Sequence, residues 1–222
     1  SSLPRQLLAG AQYALFRTGP LTSTAITAGA FIRSDPLLER PDIQINMFSW
    51  SAMERTSEEV IPHPFPAFTM SPVHLRPDCD GSVRIKSPDP LAPPAISYEF
   101  LRSPYDQQAI LHGMRVCRQI ANQPALSRYM VEEVVPGPTV ASDEELLADV
   151  RARGIANYPP VGTCRMGDAL DSATDARLRV HGIDGLRVAD ASVMPSIIAG
   201  NTNAPTIMIG EKAAAMILED AA

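Results

Sequence analysis

The most informative segment of this 222-residue chain is residues 157–212, which read NYPPVGTCRMGDALDSATDARLRVHGIDGLRVADASVMPSIIAGNTNAPTIMIGEK. Within it, GLRVADAS (185–192) is typical of a short buried strand and places Asp190 at the carboxyl end, where open α/β sheets bind ligands. GNTNAPT (200–206) precedes an Ala-rich helix, whose first N–H groups can bind an anionic or carbonyl oxygen. From these residues alone, turn capping by Asp190 and Asn203 is the favoured interpretation and a ligand site is the alternative.

The remaining sequence predicts an α+β fold. Short segments that alternate apolar and polar residues, bounded by Pro, Gly or Asp, predict an antiparallel sheet within residues 42–100, with Asp80 and Gly81 in a hairpin turn. Residues 21–40 are predicted to be irregular. Amphipathic spacing and capping residues predict helices over 4–16, over 104–122 with Ser103 as N-cap, and from Ser142 with Glu145 completing a capping box. The 104–122 helix should pack on one face of the sheet.

Composition excludes several classes of protein. The chain has 19 Lys and Arg against 25 Asp and Glu, a net charge of −6, which argues against a nucleic-acid partner because such a partner requires a basic face. With 45% hydrophobic residues the chain is not disordered. Three cysteines without paired spacing predict neither a disulfide framework nor a metal site, and favour a reducing compartment such as a bacterial cytoplasm. The absence of an initial Met, with a helical pattern from the first residues, predicts that the chain begins within a longer protein.

Five strings in this segment together resemble the C-terminal region of the glucose–methanol–choline (GMC) family of FAD-dependent oxidoreductases. They are VGTCRMG (161–167), LRVHG (178–182), GLRVADASVMP (185–195), GNTNAP (200–205) and MIGEK (208–212). The resemblance implies that residues 1–180 form a substrate-binding domain and that 181–222 supply the last strand, 185–190, and the last helix of an FAD-binding domain. The G-x-G-x-x-G fingerprint of dinucleotide binding does not occur in this chain. The implied partner is therefore an N-terminal FAD-binding part, in cis or in trans, without which this chain should not retain FAD.

The resemblance also assigns roles to individual residues. Asp190 and Ala191 match positions that contact the ribityl–phosphate portion of the flavin, and Thr202 and Asn203 match positions under the isoalloxazine edge. Asn201 matches the second catalytic position, which holds His or Asn and hydrogen-bonds the substrate oxygen. No metal ligand is implied.

Pro159 departs from the family pattern. The residue after the position of Tyr158 is usually the catalytic histidine, which takes the hydroxyl proton of the alcohol while hydride passes to the flavin. The proline side chain has neither donor nor acceptor, and the Asn201 amide can donate but cannot take a proton. Loss of the base predicts a chain that is impaired in catalysis rather than wholly inactive, and a sequence error or an isolated natural variant at Pro159 is the alternative.

Three functions remain to be compared. The leading one is the C-terminal part of an FAD-dependent oxidoreductase that oxidises the CH–OH group of a small alcohol, in the manner of choline dehydrogenases. The alternative is a non-catalytic binding or assembly half of a split or decayed flavoprotein; a lyase is disfavoured because its chemistry also needs the histidine. Self-association into a homo-oligomer remains open.

Two structural expectations follow. The side chains of Pro159 and Asn201 should lie across a cavity from each other, close enough to meet one substrate oxygen. If the rest of an FAD-binding domain is missing, the apolar side chains of Leu186, Val188 and Ile207 should not all be deeply buried.

Overall fold

The computed structural model describes residues 3–22, 26–55, 60–157, 160–168 and 170–221. Its helices are α1 (Leu3–Phe16), α2 (Pro104–Ala121), α3 (Pro124–Ser127), α4 (Asp143–Arg153) and α5 (Asn203–Ala221), with short 3₁₀ helices at Pro20–Thr22 and Ala191–Val193. Its strands are β1 (Ile26–Ile32), β2 (Ile43–Phe48), β3 (Ala52–Arg55), β4 (Val60–Pro62), β5 (Thr69–His74), β6 (Gly81–Arg84) and β7 (Ala95–Tyr98). None of the helices within these described ranges is long and apolar enough to cross a membrane.

The first of two compact units comprises Ser1–Val73 and Ile110–Glu133. Its three-stranded sheet has the order β1-β2-β5, and β1 pairs with β2 in antiparallel register. Ile43 and Ile45 lie on one face of the central strand and Gln44 and Asn46 on the other, and all four are buried. A Cβ atom at Gly113 of α2 would lie 2.7 Å from Cβ of Pro72 and 3.2 Å from Cγ2 of Ile43. The helix therefore packs closely on this face, and the α+β fold with an antiparallel sheet is confirmed.

Two expectations about strands are wrong. Residues 26–32, expected to be irregular, form β1; the small side chains of residues 27–30 give little periodic signal, and the strand is defined by backbone pairing with β2. The expected hairpin turn at Asp80 and Gly81 does not form between consecutive strands, because β5 pairs with β2 and β6 pairs with β7. Local turn chemistry does not reveal that the chain changes sheets at this point.

The second unit comprises His74–Ala109 and Val134–Ala222. It contains the β6–β7 hairpin and α4, which begins with the predicted capping box: Ser142 accepts from the Glu145 N–H, and the Glu145 carboxylate accepts from the Ser142 N–H. Its main core is a buried apolar cluster, the α5 core, made of Leu178, Val193, Met194, Ile209 and Ala213.

The strand predicted at residues 185–190 does not form. Gly182 and Gly185 adopt φ angles of +76° and +74°, a backbone conformation that favours glycine, and they reverse the chain. Residues after the turn therefore fold back onto 178–180, where the Val180 N–H donates to the Leu186 carbonyl and Arg179 forms a single bridge with Arg187. A buried strand needs continuous partners, and this segment has only that bridge among the described residues.

Apolar side chains around this turn and on α5 are largely open to solvent. Leu186 is 48% exposed, Ile207 is 60% exposed and Val188 is half-buried. The expectation that these three are not all deeply buried is confirmed. The domain boundary between residues 180 and 181 stays a prediction.

Candidate functional site

Asp190 begins a tight turn. It is the N-cap of the 3₁₀ helix Ala191–Val193, and its Oδ1 accepts hydrogen bonds from the Ser192 N–H at 2.8 Å and from the Ser192 hydroxyl at 2.5 Å. The Asp190 side chain nevertheless remains exposed. Asp190 is therefore a capping residue, as the local pattern favours, and its carboxylate faces solvent where a ligand hydroxyl could reach it.

The Gly-Thr-Cys-Arg-Met segment pairs with this turn through its backbone. The Cys164 N–H donates to the Ser192 carbonyl at 2.9 Å, and the Met166 N–H donates to the Val193 carbonyl at 2.8 Å. Gly162 opens the segment with a φ of +86°, and a Cβ atom there would lie 3.3 Å from the Met194 carbonyl oxygen. Two motifs that are about thirty residues apart in sequence are thus one structural element.

The N-terminal end of α5 carries the other candidate residues. Thr202 is buried, and its carbonyl accepts from the Thr206 N–H at 3.0 Å and from the Thr206 hydroxyl at 2.7 Å, so it caps the helix. The side chains of Asn201 and Asn203, on either side, are exposed. In the first turn of a helix the N–H groups have no partner within the helix. Asn203 and Ala204 therefore present backbone donors at this end, while Pro205 has none.

One core supports both groups of residues. Ile209 and Ala213 of α5 pack in the α5 core with Val193 and Met194, which directly follow Ala191 and Ser192. Ala191 itself packs against this core as a half-buried side chain. The Asp190 turn and the start of α5 are consequently attached to the same buried cluster.

Pro159 lies outside the described residues, as does Tyr158. The expected approach of Pro159 to Asn201 therefore stays a prediction. Val161, two residues further on, packs against the α5 core and is half-buried, so the chain reaches this cluster directly after the Pro159 position.

The residues present fit a flavin cofactor. An exposed carboxylate in the Asp190 turn can accept from hydroxyl groups, and the exposed side chain of Asn203 with the first-turn N–H groups can donate to carbonyl or phosphate oxygens. Within the ranges that the structure describes, no group of three or more His, Cys, Asp or Glu side chains could hold a metal ion.

The structure also shows a buried polar cluster that the sequence did not reveal. Nδ1 of His74 lies 3.5 Å from Oδ1 of Asp106, and their side chains are only 9% and 2% exposed. The Asp106 carboxylate also accepts from the Asp78 N–H at 2.9 Å, and its hydrogen bond to the Cys79 thiol raises the pKa of that thiol. The Asp106 N–H donates to the Ser103 hydroxyl, which confirms Ser103 as the cap of α2. Because His74 and Asp106 are far apart in sequence, no local pattern predicts their contact.

The GMC oxidoreductase family model matches residues 77–210. An alcohol dehydrogenase (acceptor) of Pseudomonas putida is 38% identical over 98% of this chain, which spans 39% of that relative. An oxygen-dependent choline dehydrogenase of Citrobacter koseri is 41% identical over 92% of this chain, which spans 36% of the relative.

Solved structures agree with this result. The pyridoxine 4-oxidase from Mesorbium loti is 28% identical with a TM-score of 0.76, over 86% of this chain and 37% of its own. The fold of the formate oxidase from Aspergillus oryzae RIB40, solved in a study of FAD modification, matches with a TM-score of 0.82 at 24% identity, over 99% of this chain and 42% of its own. The chain thus spans about two fifths of the length of these relatives. Because the family model covers more than half of its residues, the chain belongs to the GMC oxidoreductase family.

Proposed function

We propose that this chain is the C-terminal part of an FAD-dependent oxidoreductase that oxidises the CH–OH group of a small alcohol. The observation that carries the proposal is the attachment of the Asp190 turn and the start of α5 to one buried core, so that all the candidate residues in the described part of the chain belong to a single framework. The names of two relatives, an alcohol dehydrogenase and a choline dehydrogenase, support an alcohol as substrate.

In this proposal the cofactor-binding residues are Asp190, Ala191, Thr202 and Asn203. The exposed Asp190 carboxylate accepts from cofactor hydroxyl groups, and Asn203 with the first N–H groups of α5 donates to cofactor oxygens. Thr202 is buried and holds the first turn of the helix in place. When bound, FAD would supply the acceptor for the hydride of the alcohol.

Asn201 would hold the substrate. Its amide can donate a hydrogen bond to the substrate oxygen and so stabilise negative charge there, but it cannot take the hydroxyl proton. Pro159 cannot take that proton either. The proposed chemistry is therefore slow in a protein with this sequence, and a general base is what it lacks.

The proposed partner is an FAD-binding part, in cis or in trans. This chain spans about two fifths of its relatives, and the outer face of α5 presents apolar side chains such as Ile207 and Leu218 to solvent. Exposed apolar patches of this kind mark interaction surfaces. Without the partner we expect this chain not to retain FAD. From three cysteines without paired spacing we propose a reducing compartment such as the cytoplasm.

The second candidate is a non-catalytic binding or assembly half of a flavoprotein. Pro159 favours it, because a protein that no longer oxidises an alcohol does not require the histidine at that position. The two candidates differ in whether an alcohol reduces the flavin.

The test is to co-express the chain with an FAD-binding part, record the flavin spectrum, and add alcohols such as choline anaerobically. We expect bound flavin that bleaches slowly. Asp190→Asn should weaken flavin retention, whereas Asp184→Asn, which makes the same charge change in the exposed 181–185 turn, should not. Bound flavin that no alcohol reduces would support the non-catalytic candidate, and no difference between the two variants would contradict the cofactor role of Asp190.

A further inference from the structure

Three arginine side chains meet one carboxylate at the C-terminal end of α5. Nη2 of Arg177 donates to Oδ1 of Asp220 at 2.9 Å, and Nη2 of both Arg179 and Arg187 donates to Oδ2. Glu219 accepts from Arg177 at 3.1 Å. We call these five residues the Asp220 cluster. A carboxylate in the last turn of a helix is unfavourable beside the negative end of the helix dipole, so Asp220 is stabilised here by its arginine partners.

The arginines connect α5 to the turn that precedes Asp190. Nη1 of Arg187 donates to the Arg177 carbonyl at 2.5 Å, so the cluster holds the two sides of the 177–187 turn together. Arg177 also donates to the Met216 carbonyl at 3.2 Å and thereby caps the helix. The Arg187 side chain is only 16% exposed, which limits competition from water and distinguishes this network from a single ion pair at the surface.

A second attachment holds the middle of α5. Ile209 and Ala213 are buried in the α5 core. Asp220 lies seven residues beyond Ala213, and Asn203 lies six residues before Ile209. At a rise of 1.5 Å per residue, the cluster and the start of the helix are about 10 Å and about 9 Å from the buried attachment, on opposite sides of it.

We infer that Asp220 is a positioning residue that fixes the axis of α5 and thereby the placement of Asn201, Thr202 and Asn203 at its other end. Without Asp220, α5 is attached only at Ile209, Ala213 and the buried Thr202, so the rigid helix can tilt and carry a displacement of its C-terminal end towards its N-terminal end. Asp220 removes this freedom. The functional meaning of that placement rests on the proposed function, but the placement itself does not.

The experiment compares amide hydrogen exchange in the 222-residue chain and its Asp220→Asn variant by NMR. We expect the exchange of the Thr206 and Ser192 amides, which report on the start of α5 and on the Asp190 turn, to accelerate about tenfold through local opening. The Asn122 amide at the end of α2, which donates to the Arg118 carbonyl, should not change. Glu219→Gln is the matched control, because it removes the same charge from a residue that accepts from Arg177 at the edge of the cluster, and it should leave all three amides unchanged. Asp220→Glu should restore part of the protection.

Two results would overturn the inference. One is faster exchange that is confined to residues 216–221, which would show fraying of the last turn without transmission. The other is an equal acceleration at Asn122, which would show a general loss of stability. The same variant in the flavin-containing protein separates this inference from the proposed function. If the Thr206 and Ser192 amides respond but neither Asp220→Asn nor Asp190→Asn affects flavin retention, the positioning role stands and the cofactor assignment fails.

Discussion

Pro159 stands where the resemblance to the GMC family places the proton acceptor of the reaction. In the flavin-containing protein, Pro159→His should raise kcat for alcohol oxidation by about 10²–10⁴, the usual contribution of a positioned general base. The restored rate should fall as pH decreases through the pKa of the new histidine, because only the neutral imidazole accepts a proton. Steady-state kinetics from pH 5 to 9 on both proteins measure this effect.

Flavin retention is the control for that substitution, since the contacts proposed for Asp190, Ala191 and Asn203 are not changed. A parent protein that already turns over at ordinary enzymatic rates, ~1–10³ s⁻¹, would show that another group is the base. The base would then be His74 or a group from the N-terminal part, and His74 would have to leave its buried contact with Asp106 to serve.

Gly162 combines a positive φ with a close backbone neighbour at the position that a Cβ atom would take. Gly162→Ala should destabilise the chain by about 1–2 kcal/mol, the cost of a left-handed conformation for an L-residue, and by more if the new Cβ atom displaces the Met194 carbonyl. Urea unfolding measures the loss. Gly182→Ala is the matched control: its φ is also positive, at +76°, but a Cβ atom there has nothing within 4 Å. Equal losses in the two variants would show that the contact with Met194 has no consequence.

At the scale of elements, α4 offers the cleanest test of a capping signal. Ser142→Ala removes the acceptor for the Glu145 N–H and should cost about 0.5–2 kcal/mol of stability. Hydrogen bonds from the N–H groups of Ser142 and Ala141 lower the pKa of Glu145. The stabilising effect of Glu145 is therefore complete above its ordinary pKa of 4.5 and decreases as pH falls through the lowered value. Chemical unfolding of the chain and the variant checks the loss, and an unchanged midpoint would contradict it.

Helices were easier to predict than strands in this chain. The helices at 4–16, 104–122 and 142 onward carry local signals, namely amphipathic spacing and capping residues, and all three form. β1 has no such signal, because the small residues at 27–30 interrupt its apolar pattern and the strand is defined by pairing with β2. The expected strand at 185–190 fails for the opposite reason, since its apolar content is real but two glycines turn it back on itself.

The candidate site was predictable as a set of motifs and not as an arrangement. Asp190 and the start of α5 are each recognisable in sequence, but their shared core depends on Leu178, Ile209 and Ala213, whose contacts are long-range. The Asp220 cluster could not be predicted from local sequence either, because its arginines lie more than thirty residues before Asp220.

At the scale of the whole molecule, acid should weaken the Asp220 cluster in a narrow pH range. Hydrogen bonds from Arg179, then from Arg187, and the charge of Arg177 lower the pKa of Asp220 from 3.8 to about 2. Because this pKa is lowered in the folded chain, the stabilisation is complete above about pH 4 and is lost as pH falls towards 2. The difference in unfolding midpoint between the chain and Asp220→Asn should be constant above pH 4.5 and should disappear near pH 2. A difference that does not change across this range would contradict the assignment, since Glu219 and the other carboxylates titrate in both proteins.

We expect the exposed apolar face of α5 to bind an FAD-binding part. Ile207 and Leu218 are eleven residues apart, about three turns, and so lie on one side of the helix. Leu218 is 72% exposed, so Leu218→Asn should not change the stability of the isolated chain. Burying a leucine in an interface contributes about 1.5–3 kcal/mol, so the variant should weaken binding of the FAD-binding part by about 10- to 100-fold.

Titration of an FAD-binding part with the chain, followed by flavin fluorescence, measures that affinity. Leu37→Asn is the matched control, because Leu37 is 90% exposed and does not belong to α5. If both variants lose affinity equally, the effect is one of general hydrophobicity and not of this helix face. If Leu218→Asn leaves binding unchanged but abolishes self-association in analytical ultracentrifugation, the face joins two copies of the chain, and the partner proposed for it is wrong.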